Sequence, residues 1–259
     1  QMFTDNAVIL VDSDSIYFRM ACVTKKQKDI RVGIDNTMKE IQQNCGSDSF
    51  LVAIKGRGNF RKDIYPHYKS TRKDLEDDVK KALNYGHNYM VEKYKAVEAD
   101  NMEADDLVSI WAAECREAEQ EYTVVGIDKD LLQIPGTHYN FVKKEIQEIS
   151  EDTADLKLML QCLTGDRSDN IPGIKGIGPK KAEKILHGVP MERRWNRVRA
   201  AWRTNGAGDP EISKRLLTMI TSWEELDDIK EQISEHKSKA RISNHKSKAE
   251  TKVHRDAED

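Results

Sequence analysis

Four short, largely apolar runs mark the first part of the chain. They are Val8–Val11, which ends on Asp12; Phe50–Ile54, followed by Lys55 and Gly56; Tyr122–Ile127, which ends on Asp128; and a shorter run over Tyr139–Val142. Such continuous runs predict strands buried on both faces, the pattern of a parallel sheet. Helical spacing fills the intervals. Its clearest stretch runs from about Met102 to about Ala118, with Leu107, Ile110, Trp111 and Cys115 on one stripe. Strand and helix in alternation predict an α/β domain over residues 1–155 with a mainly parallel central sheet flanked by helices. In open sheets of this kind the site lies beyond the carboxyl ends of the strands. Asp12 and Asp128 are therefore expected to face one crevice.

After Asp155 the pattern changes. Leu156–Leu163 is apolar at helical spacing, and a glycine-rich turn and further helical stretches follow, predicting a helical subdomain over 156–232. Trp195 and Trp202 stand seven apart among Arg193, Arg194, Arg197, Arg199 and Arg203. They read as two core anchors beneath a solvated basic face. The last segment repeats itself, Ile233–Ala240 and then Ile242–Ala249, and lacks aromatic residues. That composition predicts a polar, mobile tail over 233–259.

The 259 residues are 38% hydrophobic and 34% charged, a polar globular composition with enough apolar residues for a core. No apolar run approaches the roughly 18 residues of a membrane span, and no basic-then-apolar leader is seen. A cytoplasmic location and no membrane partner are expected. Cys22, Cys45, Cys115 and Cys162 lie far apart without a CxxC pair, which argues for reduced thiols and against structural zinc. The net charge of −3 hides an asymmetry. Between Lys55 and Lys73, seven basic side chains oppose the single acid Asp63, a net of six positive charges. Separate acidic and basic zones suit an enzyme that holds cations in one place and phosphates in another.

Four acidic clusters carry the candidate chemistry: Asp12 with Asp14; Glu103, Asp105 and Asp106 at a helix start; Asp128 with Asp130 after a strand; and Asp166 with Asp169 after a helix. Any one alone reads as a helix cap or a complement to a helix dipole. Together they are harder to read that way, because crowded carboxylates repel and must protonate or bind cations. Hard divalent cations such as Mg²⁺ take such oxygen ligands. A pair of ions about 4 Å apart can activate water and stabilise the leaving oxygen of a phosphodiester.

The segment Gly165–Ala182 reads GDRSDNIPGIKGIGPKKA. Gly173, Gly176 and Gly178 permit a tight turn with backbone close to a ligand. Pro179 suits the first turn of the next helix, whose free amides, with Lys180 and Lys181, can hold phosphate oxygens. Here the chain strongly resembles the flap endonuclease and 5′-to-3′ exonuclease family, above all its bacteriophage and bacterial branch. Gly165–Ala182 matches that family's GDxxDNIPGxxGIGxKxA pattern, Glu103–Asp106 its ExDD, and Asp128–Asp130 its DxD after a strand. Val11-Asp12 with Tyr17-Phe18-Arg19 is similar to its first motif, and Asn59-Phe-Arg61 through Tyr65-Pro-His-Tyr-Lys69 and Arg72 to its NFR…PxYKxxR stretch. The motif order agrees over about residues 7–190.

The resemblance implies a PIN-like 5′-nuclease fold with a helical arch or clamp over about 56–95 and a helix–hairpin–helix variant in the C-terminal subdomain. It implies a first metal served by Asp12, Glu103, Asp105 and, through water, Asp106, and a second served by Asp128, Asp130, Asp166 and Asp169. The ions would be Mg²⁺, with Mn²⁺ as a substitute, and K⁺ would sit at the glycine hairpin. Lys69 and Arg72 would act at the scissile phosphate, Tyr68 would stack on an unpaired base, and Arg61, Gly173, Gly176, Gly178, Lys180 and Lys181 would bind DNA. The expected activity is structure-selective cleavage of duplex DNA with a 5′ flap or free 5′ end, or of an RNA–DNA hybrid. The setting would be replication, primer removal or recombination, in a phage-encoded monomer working beside replication proteins. One departure stands out: many relatives carry another metal-serving acid after the second strand, and Ile54-Lys55-Gly56 has none. Asp14 is the acid placed to compensate. Two rival readings are a non-catalytic duplex-binding module and a phosphatase of the haloacid dehalogenase type, which Asp12-Ser-Asp14 imitates.

Overall fold

The computed structural model describes residues 7–205, 208–235 and 237–238. The chain divides into two compact units, 1–221 and 222–259. In the second, residues 223–235 are helical. The repeated tail predicted from residue 233 lies almost wholly outside the described residues.

The first unit is built on six strands: β1 (Val8–Asp12), β2 (Phe50–Lys55), β3 (Val97–Ala99), β4 (Tyr122–Val125), β5 (Gly136–Asn140) and β6 (Glu145–Ile149). Their order across the sheet is β3-β2-β1-β4-β5-β6. All neighbouring pairs are parallel except the β5–β6 edge, which is antiparallel. β1, at the centre, is buried along its whole length. Side chains alternate across a strand. Ile9, Val11, Val52 and Ile54 accordingly enter a core shared with α1 (Asp14–Val23), α2 (Gln27–Cys45) and α4 (Asp77–Tyr94). Leu10 and Ala53, also fully buried, face the other way. α5 (Ala104–Glu117) packs on β1 to β4, burying Leu107, Val108, Ile110 and Trp111.

Two strands escape the apolar pattern. β3 has three residues, two of them exposed, and β6 is exposed at four of five positions. Edge strands need no continuous apolar run. The run over Tyr139–Val142 is not a strand to its end: the Asn140 side chain accepts the amides of Val142 (3.1 Å) and Lys143 (3.0 Å), which closes a turn. β5 therefore stops at Asn140 and Phe141 is buried inside the turn.

Between β2 and α4 lie the short helix α3 (Phe60–Ile64) and a series of turns reaching Arg72. Beyond β6, α6 (Glu151–Thr164), α7 (Pro179–Leu186), α8 (Met191–Thr204) and α9 (Pro210–Leu217) enclose a second apolar cluster. Trp202 anchors it and donates its indole N–H to the Cys162 carbonyl (2.9 Å). Trp195 is only half buried, under the Lys214 ammonium. Arg194 belongs to the interior, paired with Asp152 and Asp155, so the arginine face is not wholly solvated.

Candidate active site

Five strand ends, turns and helix starts deliver acids to one place. Asp12 ends β1 and Asp14 opens α1. Glu103 caps α5 and Asp105 lies in its first turn. Asp128 and Asp130 flank the start of a 3-10 helix (Lys129–Gln133), and Asp169 comes from the turn after α6. All seven line a cavity of about 910 Å³. It opens beyond the carboxyl ends of β1, β2 and β4, where open parallel sheets place their sites. Asp12 and Asp128 do face one crevice.

The acids are electrostatically strained. Burial, then the neighbouring Asp14, Asp128 and Glu103 charges, hold the Asp12 carboxyl well above the usual carboxylate range. Burial and the Glu103 and Asp106 charges do the same for Asp105. Asp130, half-buried beside Asp128, is pushed up to about 6 by desolvation and the Asp128 charge. Glu103 moves the other way. Burial opposes its ionisation, but the Lys69 ammonium and Arg61 guanidinium overcome that cost and lower its pKa.

Lys69 bonds directly to Glu103 and lies 3.6 Å from Asp169, and Arg72 reaches the other Asp169 oxygen at 2.7 Å. Lys69 itself is left-handed (φ 57°), a conformation that costs an L-residue about 1 kcal/mol or more. Its amide is held on the Asp169 carbonyl at 2.8 Å. Asp166 stands just outside the cavity lining, buried and paired with Lys129 at 2.7 Å. These cations neutralise the acids they touch. Among the described residues no three His, Cys, Asp or Glu side chains are grouped closely enough to hold one ion.

Three expectations are corrected. Asp106 does not face the cavity. It is fully buried and takes a two-pronged bond from Arg61 (2.6 and 2.8 Å), besides the amides of Glu103 (3.0 Å) and Ile220 (3.2 Å). Arg61 is equally buried and also donates to the Leu216 and Thr218 carbonyls, so it is a structural tie and not a DNA contact. One turn of α5 points Glu103 and Asp105 at the cavity and Asp106 behind it. Tyr68 is 2% exposed, its hydroxyl donating to Glu103 (2.8 Å) and Asp169 (3.2 Å), so it offers no face to a base.

In the hairpin, Gly173 serves packing. A Cβ there would lie 2.1 Å from the Thr164 backbone. Gly176 turns at φ 80°, and its carbonyl accepts the Lys181 ammonium (2.9 Å). Gly178 caps α7, where an added Cβ would meet nothing among the described residues, and Pro179 takes the first helical position. With Lys180 exposed beside it, the start of α7 is open to a ligand. Three site neighbours went unnamed in the motif reading. Lys129 was legible inside Asp128-Lys-Asp130. Ser168, which bonds Asp166 (2.6 Å), and Gln161, which bonds Asp130 (2.6 Å), carried no signal of their own.

The donor set suits hard divalent cations. It consists of carboxylates alone, and buried acids such as Asp12 and Asp105 are costly as anions unless a cation neutralises them. A measurable consequence follows for the metal-free protein. Asp12, Asp14, Asp105 and Asp130 have pKa values raised by folding, so the native state binds more protons than the unfolded chain above pH about 4. Their contribution to stability is lost as pH rises through about 6 and beyond. Glu103 and Asp166, with lowered values, contribute stability that is lost below about pH 4. In EDTA the melting temperature is therefore expected to be higher at pH 5 than at pH 7.5, and Mg²⁺ to raise it more at pH 7.5. A flat EDTA profile between these values would contradict the assignment.

The fold and cavity define a class first: an α/β domain on a mainly parallel sheet, with its acids gathered at the carboxyl edge of that sheet. The chain belongs to the 5′-3′ exonuclease family, whose model for the N-terminal resolvase-like domain matches residues 7–159. DNA polymerase I of Borreliella burgdorferi is 34% identical over 200 residues, covering 68% of this chain and 22% of the polymerase. Flap endonuclease Xni of Shewanella pealeana is 26% identical over 196 residues, covering 70% and 76%. The chain thus spans about a quarter or less of the polymerases it matches. Among solved structures, the bacteriophage T5 5′-exonuclease with bound zinc has a TM-score of 0.65 at 17% identity, covering 89% of this chain and 99% of that one. The T5 flap endonuclease complex with DNA and metal ions has a TM-score of 0.63 at 16% identity, covering 89% and 98%. At such identity the likeness is one of fold. No helix among the described residues is long and apolar enough to cross a membrane.

Proposed function

We propose that this chain is a structure-selective, Mg²⁺-dependent 5′ nuclease acting on duplex DNA with a 5′ flap or free 5′ end. The carrying observation is the cavity in which Asp12, Glu103, Asp105, Asp128, Asp130 and Asp169 meet the basic residues Lys69 and Arg72. On this reading Asp12, Glu103 and Asp105 would hold one ion, and Asp128, Asp130 and Asp169 the other, each set drawing closer together than it stands in the metal-free arrangement. Mg²⁺ supplies Lewis-acid stabilisation of phosphoryl charge and lowers the pKa of water. Lys69 and Arg72 transfer from carboxylate to phosphate partners and stabilise developing negative charge there. The open start of α7, with Lys180 and Lys181, grips the duplex backbone without reading bases. Hydrolysis leaves a 5′ phosphate and a 3′ hydroxyl. Mn²⁺ substitutes for Mg²⁺, and primer removal or recombination is the setting.

The test is cleavage of a 5′-labelled flap duplex by the wild type and by Asp128→Asn. Mg²⁺-dependent cutting is expected, abolished by EDTA and cut at least about a hundredfold by the substitution, the size of a few kcal/mol of lost charge stabilisation. Equal product from both proteins would remove the assignment.

A further inference from the structure

We infer that Lys55 is a substrate-binding residue of this cavity, its ammonium holding a phosphate group of the nucleic-acid strand beside the carboxylates. The inference rests on the nuclease reading above and adds a residue to it.

Lys55 is the last residue of β2 and lines the cavity. In the sheet Ala53 pairs with Asp12, so Lys55 stands two residues, roughly 7 Å, further out along the wall than Asp12. Its backbone is pinned from both sides. The amide donates to the Asp14 carboxylate at the start of α1 (2.9 Å), and the carbonyl accepts the His87 Nε2–H from α4 (2.8 Å). Gly56 then turns away from the cavity, running so close to β3 that an added Cβ would lie 2.6 Å from the Ala99 carbonyl oxygen. Lys55 is thus fixed at its root while its side chain is exposed.

Its lack of a partner sets it apart. Four lysine and arginine side chains line the cavity: Lys55, Lys69, Arg72 and Lys129. Lys69 bonds Glu103, Arg72 bonds Asp169 and Lys129 bonds Asp166. Among the described residues the Lys55 ammonium has no hydrogen-bond or ion-pair partner, although seven acids line the same cavity. The other three cations must leave a carboxylate before they can take a phosphate, and Lys55 need not. A fixed cation at this wall also offsets the repulsion that a polyanionic strand meets near clustered carboxylates. Its place outward of Asp12 suits a phosphate next to the one being cut, so the contact serves binding more than the chemical step. A merely solvated lysine would affect DNA binding no more than an exposed lysine elsewhere.

Binding of the full chain is measured by fluorescence anisotropy in Ca²⁺, with gels confirming that the strands stay intact. Two duplexes are used, a 5′ flap ending in a hydroxyl and a recessed end carrying a 5′ phosphate. The wild type is compared with Lys55→Gln, Lys55→Arg and, as a control for net charge, Lys39→Gln at an exposed position of α2. Lys55→Gln is expected to bind about five- to tenfold more weakly at about 0.1 M KCl, and to flatten the plot of log Kd against log[KCl] by about one, the signature of one lost phosphate contact. Lys55→Arg should keep the wild-type slope, and so should Lys39→Gln. In Mg²⁺, KM for flap cleavage by Lys55→Gln should rise by a larger factor than kcat falls. Loss on both duplexes assigns the contact to an internal diester, and loss on the recessed end alone to the terminal phosphate. An unchanged slope in Lys55→Gln, or an equal change in Lys39→Gln, overturns the inference. A wild type that cuts the flap beside a Lys55→Gln variant of unchanged slope refutes this inference alone. A wild type that binds through Lys55 but cuts neither duplex in Mg²⁺ refutes the nuclease reading alone, and one that binds neither duplex refutes both.

Discussion

Replacing Arg61 by alanine is expected to destabilise the protein by about 3–5 kcal/mol, the usual cost of breaking a buried ion pair from one side. The reason is local and visible. Asp106 would keep its charge in a fully buried position with its two guanidinium contacts gone. The Leu216 and Thr218 carbonyls would lose their donor as well. For a domain of this size the loss corresponds to a fall in melting temperature of roughly 8–15 °C. The double replacement Arg61→Met with Asp106→Leu is expected to regain part of it, since neutralising both partners removes the stranded charge. Recovery stays incomplete because the Glu103 and Ile220 amides also lean on Asp106. Thermal or urea unfolding measures both variants. A DNA-contact role for Arg61 predicts the reverse, weaker substrate binding at unchanged stability.

Asp12→Asn is expected to move activity and stability in opposite directions. The asparagine is nearly isosteric and retains an oxygen for the Asp14 amide (3.2 Å in the wild type). It removes a carboxylate that burial and repulsion make costly to ionise. In EDTA at pH 7.5 the variant should therefore melt higher than the wild type, and the gain should shrink as pH falls and vanish below about pH 3, where the wild-type carboxyl is protonated in both states. In Mg²⁺, flap cleavage should fall by roughly 10²- to 10³-fold, because several kcal/mol of charge stabilisation depend on ions this residue helps to hold. Cleavage at the wild-type rate would show that Asp12 does not serve the metal. A drop in metal-free stability would show that its carboxylate is a structural acceptor instead.

The contrast between Asp105 and Asp106 shows where sequence reading runs out. Both stand in Glu103-Ala-Asp-Asp, and the family resemblance implied that both serve the same ion, whereas spacing required only that two of the three acids face it. Successive helical residues point about 100° apart, so one turn can serve a cavity with Glu103 and Asp105 while burying Asp106. Which of them turns inward depended on Arg61, forty-five positions away, and on the segment 216–220. Tyr68 was misread for a similar reason. The family resemblance implied a stacking surface, yet the Tyr68 ring fills the apolar cluster beside α6 and its hydroxyl closes on Glu103 and Asp169.

What the sequence by itself determined is everything set by local physics. The apolar runs specified β1, β2 and β4, because a strand buried on both faces has no polar positions to spare. The acids that follow two of those strands, and the spaced glycines before Pro179, marked both ends of the site, because chain direction and turn geometry are local properties. Tertiary structure alone decided the rest. It chose which carboxylates share the cavity, gave Asp106 to Arg61, and set Lys69, Arg72 and Lys129 against the others. Those outcomes are electrostatic pairings between residues far apart in the chain, and their partners are settled only when helices and loops pack and remove water from between them.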